Sequence, residues 1–251
     1  MSYLLALDQG TTSSRAIIFD EHGQVHASAQ REIQIQTPQS GWVEQNAQDI
    51  WSTQIAVVQQ AIASARLMAK DIKAIGLTNQ RETTVVWDKR SGVPLAPAIV
   101  WQDRRASEWC NQLIQNQQEH LVSQKTGLRI DPYFSAGKLV WLLAHVDGLR
   151  EQAEQGHVAF GTIDSWLIWN LTQGAEHVIE MSNASRTMLM NLNTQQWDEE
   201  LLALFNIPQS LLPKIIASDA YIANTAKGLL GAEIPITGVL GDQQSALFGQ
   251  S

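Results

Sequence analysis

Apolar and polar positions in the first part of the chain alternate in short blocks that predict a β-hairpin and a third strand. An apolar run at residues 4–7 enters a polar turn at 8–15, and a second apolar run follows at 16–19. Two short apolar runs joined by a Gly-containing turn are typical of a hairpin. Residues 24–36 alternate between apolar and polar side chains, which predicts a third strand in the same sheet.

After residue 46 the apolar positions recur at helical spacing, and Asn46 is placed to cap the helix. The apolar row of this helix is Trp51, Ile55, Val58, Ile62 and Ala65. Two further strands are predicted at 72–78 and 84–88. Strands interrupted by a long amphipathic helix are the element order of an α/β domain.

The second half carries mostly helical patterns. Helices are predicted around Trp109 and Leu113, over 137–146, and around 166–169 with Gly174 ending the last of these. A final strand is predicted at 234–240, and a further helix from Ser245.

Composition restricts the class of protein. The 251 residues are 44% hydrophobic, enough for a sizeable core in one large domain or two small ones, and the formal net charge is −8. An acidic chain without a Lys/Arg cluster argues against nucleic acid and anionic membranes as partners. Cys110 is the single cysteine, so no internal disulfide can form. With no leader-like or membrane-spanning segment, we expect a cytoplasmic protein.

Three polar groups of residues stand where predicted strands end. They lie at 8–15, 80–82 and 241–243. Sheets in α/β proteins bind their ligands at the carboxyl ends of the strands. We therefore expect the three groups to form one site.

The turn at 8–15 suits a phosphate. Its Gly, Thr and Ser residues offer N–H and hydroxyl donors, Asp8 can hold Mg²⁺ or its waters, and Arg15 adds a cation. An ordinary hairpin turn without a ligand is the alternative.

The other two groups suit a small polyol. Arg81 and Glu82 offer donors and an acceptor to hydroxyl groups, although adjacent opposite charges also form surface ion pairs. Asp242, after a Gly at a strand end, is a candidate general base or a helix N-cap. Trp101 and Tyr133 lie beside polar loops and can supply an aromatic wall, whereas most of the nine tryptophans are expected in the core.

These residues carry a resemblance to a known family. The strings at 6–15, 76–84, 100–102, 130–135, 183–188 and 241–244 resemble, in order and over essentially the whole chain, the FGGY family of carbohydrate kinases. The string Asn-Gln-Arg-Glu-Thr at 79–83 is similar to that of the members that phosphorylate glycerol rather than a pentulose.

The resemblance implies a role for each site residue. It implies that Thr11, Thr12, Ser13 and Arg15 face the phosphates of ATP, with Asp8 near Mg²⁺. The residues that it implies for glycerol are Arg81, Glu82, Tyr133, Asp242 and Gln243, with Trp101 in the wall.

The resemblance also implies a fold and an organisation. The fold would be the ribonuclease-H-like α/β fold of the actin and sugar-kinase superfamily, with a mixed sheet flanked by helices. Residues 1–251 would be the amino-terminal, glycerol-binding domain, and a carboxyl-terminal nucleotide domain would be absent from this chain. The complete enzyme would convert glycerol and ATP to glycerol 3-phosphate and ADP, would be a homo-oligomer, and the present half would be inactive alone.

Three alternatives remain open at this point. A non-catalytic polyol-binding module would have no use for the phosphate turn at 8–15. An actin-like assembly protein would not need Arg81 and Asp242 at separate strand ends. A kinase acting on another polyol or a pentulose would keep both features.

Overall fold

The computed structural model describes residues 2–250, which form an α/β structure with one large mixed sheet. The strands are β1 (Tyr3–Gln9), β2 (Ser13–Phe19), β3 (Val25–Glu32), β4 (Glu44–Gln45), β5 (Ile72–Asn79), β6 (Val85–Asp88), β7 (Ala98–Ile99), β8 (Val158–Gly161), β9 (Val178–Glu180), β10 (Met190–Asn191), β11 (Gln196–Trp197), β12 (Lys214–Ile216), β13 (Ala223–Asn224) and β14 (Pro235–Gly241). The helices are α1 (Ala47–Ser64), α2 (Ser107–Gln115), α3 (Glu119–Thr126), α4 (Ser135–His145), α5 (Leu149–Glu154), α6 (Ile163–Leu171), α7 (Met181–Ala184), α8 (Glu199–Leu204) and α9 (Asp242–Gly249). Within residues 2–250, no helix has both the length and the apolar character needed to cross a membrane.

The large sheet has the strand order β13-β14-β5-β1-β2-β3. The hairpin β1-β2 and strand β3 pair antiparallel, as predicted, whereas β1, β5 and β14 lie side by side and parallel. Asp8 is opposite Thr78, and Gly241 is opposite Asn79. The carboxyl ends of the three parallel strands therefore meet at one edge.

Alternation along the strands directs the apolar side chains into a core beneath helices α1 and α6. Leu5, Leu7 and Ile75 are buried in it. The indole of Trp166 donates to the carbonyl of Ala47 at 2.8 Å and so joins α6 to the start of α1. A second apolar cluster packs α4 against β8 and α8.

Helix α1 forms where predicted, but it buries a different row of residues. Asn46 caps it by accepting from the N–H of Gln48 at 2.8 Å, as expected. Of the predicted apolar row, Val58 is buried and the others are half-buried. Gln54 lies in the buried row because its amide donates to the carbonyl of Arg15 at 3.1 Å. Hydrophobic periodicity cannot identify a buried position that holds a polar side chain.

Three other elements differ from the predicted ones. Strand β3 ends at Glu32 rather than 36, because Gln36 leaves the sheet to pair with Glu44. The predicted strand at 84–88 forms as β6, but it pairs with β8 in a separate sheet. Helix α9 begins at Asp242 rather than Ser245.

A buried carboxyl group lies at the start of α6. Asp164 is fully buried, accepts from the N–H of Glu180 at 2.8 Å and receives a second hydrogen bond from the hydroxyl of Thr162. Burial raises the pKa of Asp164 to about 7. The folded protein thus holds a proton on Asp164 at pH values where the unfolded chain does not.

This group makes stability depend on pH. Its contribution to the unfolding free energy is complete below the ordinary pKa of about 4 and falls as pH rises through about 7, by roughly 1.4 kcal/mol between about pH 6 and 8. We expect Asp164→Asn to remove that decrease, because the amide does not ionise. Denaturant unfolding of both variants across this range measures it.

The pH dependence of the unfolding free energy must be compared between variants, because a second buried group also changes its protonation on unfolding. Burial lowers the pKa of His177 to about 4, which opposes the effect of Asp164 but is common to both proteins. Asp147→Asn, at an exposed position, is the matched control. Equal pH slopes for the unaltered protein and Asp164→Asn would contradict the assignment.

Candidate active site

The candidate site lies at the edge where β1, β5 and β14 end. The turn between β1 and β2 follows the first strand, residues 80–82 follow the second, and Asp242 follows the third. The structure therefore brings together the three polar groups found in the sequence. Their convergence results from the parallel pairing of the three strands.

The turn is held by its own backbone and leaves hydrogen-bonding groups at the surface. The N–H of Gly10 donates to the carbonyl of Ser13 at 3.0 Å. Thr12 is exposed, whereas Thr11 and Ser13 are half-buried. Arg15 extends from β2 so that its Nη1 lies 3.8 Å from Oδ2 of Asp8. Hydroxyl, N–H and guanidinium donors in this arrangement can bind an anion.

Arg81 reaches across the edge to Asp242. The Nε atom of Arg81 lies 3.4 Å from Oδ1 of Asp242, yet it is buried and makes no aligned hydrogen bond within residues 2–250. Gly241 permits this approach, because a Cβ atom there would lie 2.5 Å from Cδ of Arg81. A buried donor without a partner beside a half-exposed carboxylate suits a ligand hydroxyl, which can accept from one and donate to the other.

Glu82 does not pair with its neighbour Arg81. It is 2% exposed, has a φ of 59°, and accepts from Nε of Arg186 at 2.6 Å. The hydroxyl of Ser135 donates to its carbonyl at 3.1 Å. Burial raises the pKa of Glu82, and the hydrogen bond from Arg186 opposes that rise. Instead of the alternative surface ion pair between residues 81 and 82, Glu82 pairs with Arg186 and Arg81 lies beside Asp242, both distant in sequence.

Aromatic rings line the same region. The rings of Trp101 and Tyr133 lie edge to face with centroids 5.6 Å apart. The guanidinium of Arg186 lies 5.4 Å from the ring centre of Tyr133 and 4.7 Å from that of Phe134. Buried Lys138 fixes the segment 132–134, because its ammonium group donates to the backbone carbonyl of Pro132 at 2.9 Å and to the carbonyls of the next two residues. Trp101 and Tyr133, the two residues predicted for an aromatic wall, therefore lie in contact with each other.

Hydrogen bonds join this wall to the turn. The indole N–H of Trp101 donates to the hydroxyl of Thr11 at 2.9 Å, and Gln45 donates to the carbonyl of Thr11 at 2.6 Å. Gln80 donates to the side chain of Gln45 at 2.9 Å and to the carbonyl of Gly10 at 3.3 Å. The two parts of the site are therefore one hydrogen-bonded unit.

The carboxylates at the edge fit Mg²⁺. Burial raises the pKa of Asp8, the charge of Arg15 opposes that rise, and the charge of Asp242 adds to it, so the two carboxylates repel each other. A cation would relieve this repulsion. Mg²⁺ binds through one or two carboxylates and completes its shell with water and phosphate. No cluster of three or more His, Cys, Asp or Glu side chains suited to a metal occurs within residues 2–250.

Some features of the site were not found from the sequence, and one predicted member lies at its margin. Gln243 is exposed on α9. Arg186 stood in the string at 183–188 without a role, since nothing local indicates a contact with Glu82. Gln45 and Lys138 lacked any signal beyond being polar residues within apolar patterns. A cavity of about 490 Å³ between Trp51, Lys89 and Trp169 contains none of the site residues.

Comparison with known proteins finds relatives over the whole chain. A model of the FGGY family of carbohydrate kinases, N-terminal domain, matches residues 3–249. The chain is 77% identical to the glycerol kinase of Acinetobacter baylyi over 251 residues, which are all of this chain and 51% of that protein. The chain thus spans about half the length of the curated relatives that it matches.

Solved structures agree in fold. The crystal structure of Plasmodium falciparum glycerol kinase with ADP superposes with a TM-score of 0.95 at 34% identity, over the whole of this chain and 50% of that one. A ligand-bound xylulose kinase from Lactobacillus acidophilus has a TM-score of 0.87 at 24% identity, over 99% of this chain and 50% of that one. The α/β fold of the actin and sugar-kinase superfamily, expected from the sequence, is confirmed.

The pair between Glu82 and Arg186 can be tested by its effect on stability. We expect Arg186→Met to lower the unfolding free energy by about 3 kcal/mol near neutral pH, because it leaves a buried carboxylate without its hydrogen-bonded partner. Urea unfolding measures the change.

An exposed pair provides the matched control. Nη1 of Arg104 lies 2.9 Å from Oδ1 of Asp131, and the two side chains are 53% and 42% exposed. Arg104→Met should therefore change the unfolding free energy by less than about 1 kcal/mol. Similar small losses in the two variants would show that Glu82 does not depend on Arg186.

Proposed function

The chain belongs to the FGGY family of carbohydrate kinases, and we propose that it is the amino-terminal, glycerol-binding half of an ATP-dependent glycerol kinase. The observation that carries the proposal is the position of Arg81, Asp242 and Glu82 at two neighbouring strand ends, beside the wall of Trp101 and Tyr133. Donors, acceptors and aromatic faces in one place suit a small uncharged polyol.

Asp242 is the proposed general base. It accepts the proton of a terminal hydroxyl of glycerol as that oxygen attacks the γ-phosphorus of ATP in line. The new O–P bond forms while the bond to the β-phosphate oxygen breaks, which yields glycerol 3-phosphate and ADP. Asp242 is suited to this role because its carboxylate is half-exposed at the edge, whereas that of Glu82 is buried and already accepts from Arg186.

Arg81 and Glu82 position the substrate. The unpartnered Nε of Arg81 donates to one hydroxyl of glycerol, and the remaining acceptor capacity of Glu82 receives another. Tyr133 and Trp101 pack on the carbon chain, and Gln243 adds a polar group from α9. A propanediol leaves one of these buried groups unpaired, so it should bind less well by about 1–3 kcal/mol.

The turn is the proposed phosphate contact. Thr11, Thr12, Ser13 and Arg15 face the phosphates of ATP. Asp8 would hold Mg²⁺, which would supply positive charge to offset that of the phosphates. The donors of the turn and the guanidinium of Arg15 orient the phosphates toward the edge where Asp242 lies.

The organisation of the complete enzyme is part of the proposal. A second domain would supply the adenine site and close the cleft, which agrees with relatives twice as long. The complete enzyme is proposed to be a cytoplasmic homo-oligomer.

The role of Asp242 can be tested in the full-length enzyme. We expect Asp242→Asn to lower kcat about 100-fold or more, because the amide cannot accept the proton. Glycerol affinity should persist, since Arg81 and Glu82 remain. Steady-state kinetics and calorimetry measure the two quantities, with exposed Asp147→Asn as control. Ordinary turnover by Asp242→Asn would exclude Asp242 as the base.

A further test uses the present chain alone. Phosphoryl transfer needs both substrates aligned in a closed cleft, so glycerol should bind weakly to this half without being phosphorylated. Calorimetry with glycerol and a coupled assay with glycerol, ATP and Mg²⁺ measure binding and turnover. Sustained glycerol-dependent consumption of ATP at an ordinary kinase rate would contradict the proposed division of the site between two domains.

A further inference from the structure

A fully buried carboxylate lies behind the site, at the start of the short helix α7. Glu180 is 0% exposed and has no ion pair within residues 2–250. Its two oxygens accept from five donors, which are the N–H and hydroxyl of Ser182, the N–H and side-chain amide of Asn183, and the hydroxyl of Ser218. A buried charge held by neutral donors fixes each of those donors in direction.

Two of these donor residues, Ser182 and Ser218, also form hydrogen bonds with strand β14. The hydroxyl of Ser182 accepts from the N–H of Gly241 at 2.9 Å, and the carbonyl of Ser218 accepts from the N–H of Val239 at 2.9 Å. Strand β13 pairs with β14 only at residues 235 and 236, so it does not reach these N–H groups. Ser182 and Ser218 thus take the place of a neighbouring strand where β14 ends.

The third donor residue, Asn183, forms hydrogen bonds with strand β5. Asn183 and Asn79 exchange side-chain hydrogen bonds at 2.8 and 3.2 Å, and Asn79 also donates to the carbonyl of Gln80 at 2.8 Å. Asn79 is the residue opposite Gly241 in the sheet. The hydrogen bonds around Glu180 therefore reach paired residues at the ends of β5 and β14, two residues before Arg81 and one residue before Asp242.

We propose that Glu180 and Ser182 are positioning residues that fix the place of Asp242 relative to Arg81. The inference rests on the proposed function, because it assigns these residues to the same reaction. Neither residue touches the substrate. Ser182 acts by fixing the backbone at Gly241, and Glu180 acts by directing the hydroxyl of Ser182.

The first arm of the test needs no activity. In the present chain, Ser182→Ala should accelerate amide hydrogen exchange at Gly241 about tenfold or more, because the N–H loses its acceptor. Exchange at Val239, held by Ser218, should not change and serves as an internal reference. NMR of the exchanging amides resolves the two positions.

Two variants separate the hydroxyl of Ser182 from the rest of the helix. Ser182→Thr keeps the hydroxyl, so the amide of Gly241 should exchange at the same rate as in the unaltered protein. Ser185→Ala removes a hydroxyl from the C-cap of the same helix, where it donates to the carbonyl of Ser182 and has no hydrogen bond with Gly241. It should leave the exchange at Gly241 unchanged.

The second arm measures catalysis in the full-length enzyme. Ser182→Ala should lower kcat about tenfold or more while the KM for glycerol stays within about threefold and Tm within about 2 °C. Ser182→Thr should restore kcat. A residue that only stabilised the fold would shift Tm and would not separate kcat from KM.

The outcomes that overturn the inference are distinct from failure of the proposed function. Unchanged exchange at Gly241 in Ser182→Ala, or accelerated exchange with unchanged kcat, overturns the positioning role. Absence of glycerol phosphorylation by the unaltered full-length enzyme overturns the proposed function, and exchange at Gly241 still decides whether Ser182 holds that backbone.

Discussion

The site depends on the parallel pairing of three strands. In the pairing of β5 with β1 and β14, Asp8 lies opposite Thr78 and Gly241 lies opposite Asn79. A shift of one residue in either pairing would turn the side chains to the other face and separate the charged groups. The alternating apolar residues resist such a shift, because a slipped strand would expose Leu5 and Leu7. The core beneath the sheet thus fixes the register on which the polar edge relies.

Local patterns in the sequence predicted the parts of the site that are themselves local. The hairpin, the cap at Asn46 and the polar residues after each strand each depend on a few neighbouring residues, and all were found. Arg186 was not, because its contact with Glu82 spans a hundred residues of chain and no spacing rule describes it. The buried Gln54 was missed for the opposite reason, since hydrophobic periodicity treats every polar side chain as exposed.

The edge concentrates ionisable groups that are unfavourable to bury. Each one is compensated differently. Glu82 is paired with Arg186, Lys138 donates to three backbone carbonyls, and Glu180 accepts from five neutral donors. Burial also lowers the pKa of Lys138 to about 7 and raises that of Asp164 to about 7. Apolar residues of similar size would often give equal or greater stability, so these groups are better explained by the directions that they impose on their neighbours.

Thr11 belongs to both parts of the site. Its hydroxyl accepts from Trp101 and its carbonyl accepts from Gln45, so the turn cannot move away from the aromatic wall without breaking both bonds. Gln80 extends the constraint to the end of β5 through Gln45 and Gly10. A ligand that orders the wall therefore also orders the turn, because they share hydrogen bonds rather than only a surface. Ligands bound at this edge would meet donors already held at a fixed separation, which reduces the entropy lost when they are aligned.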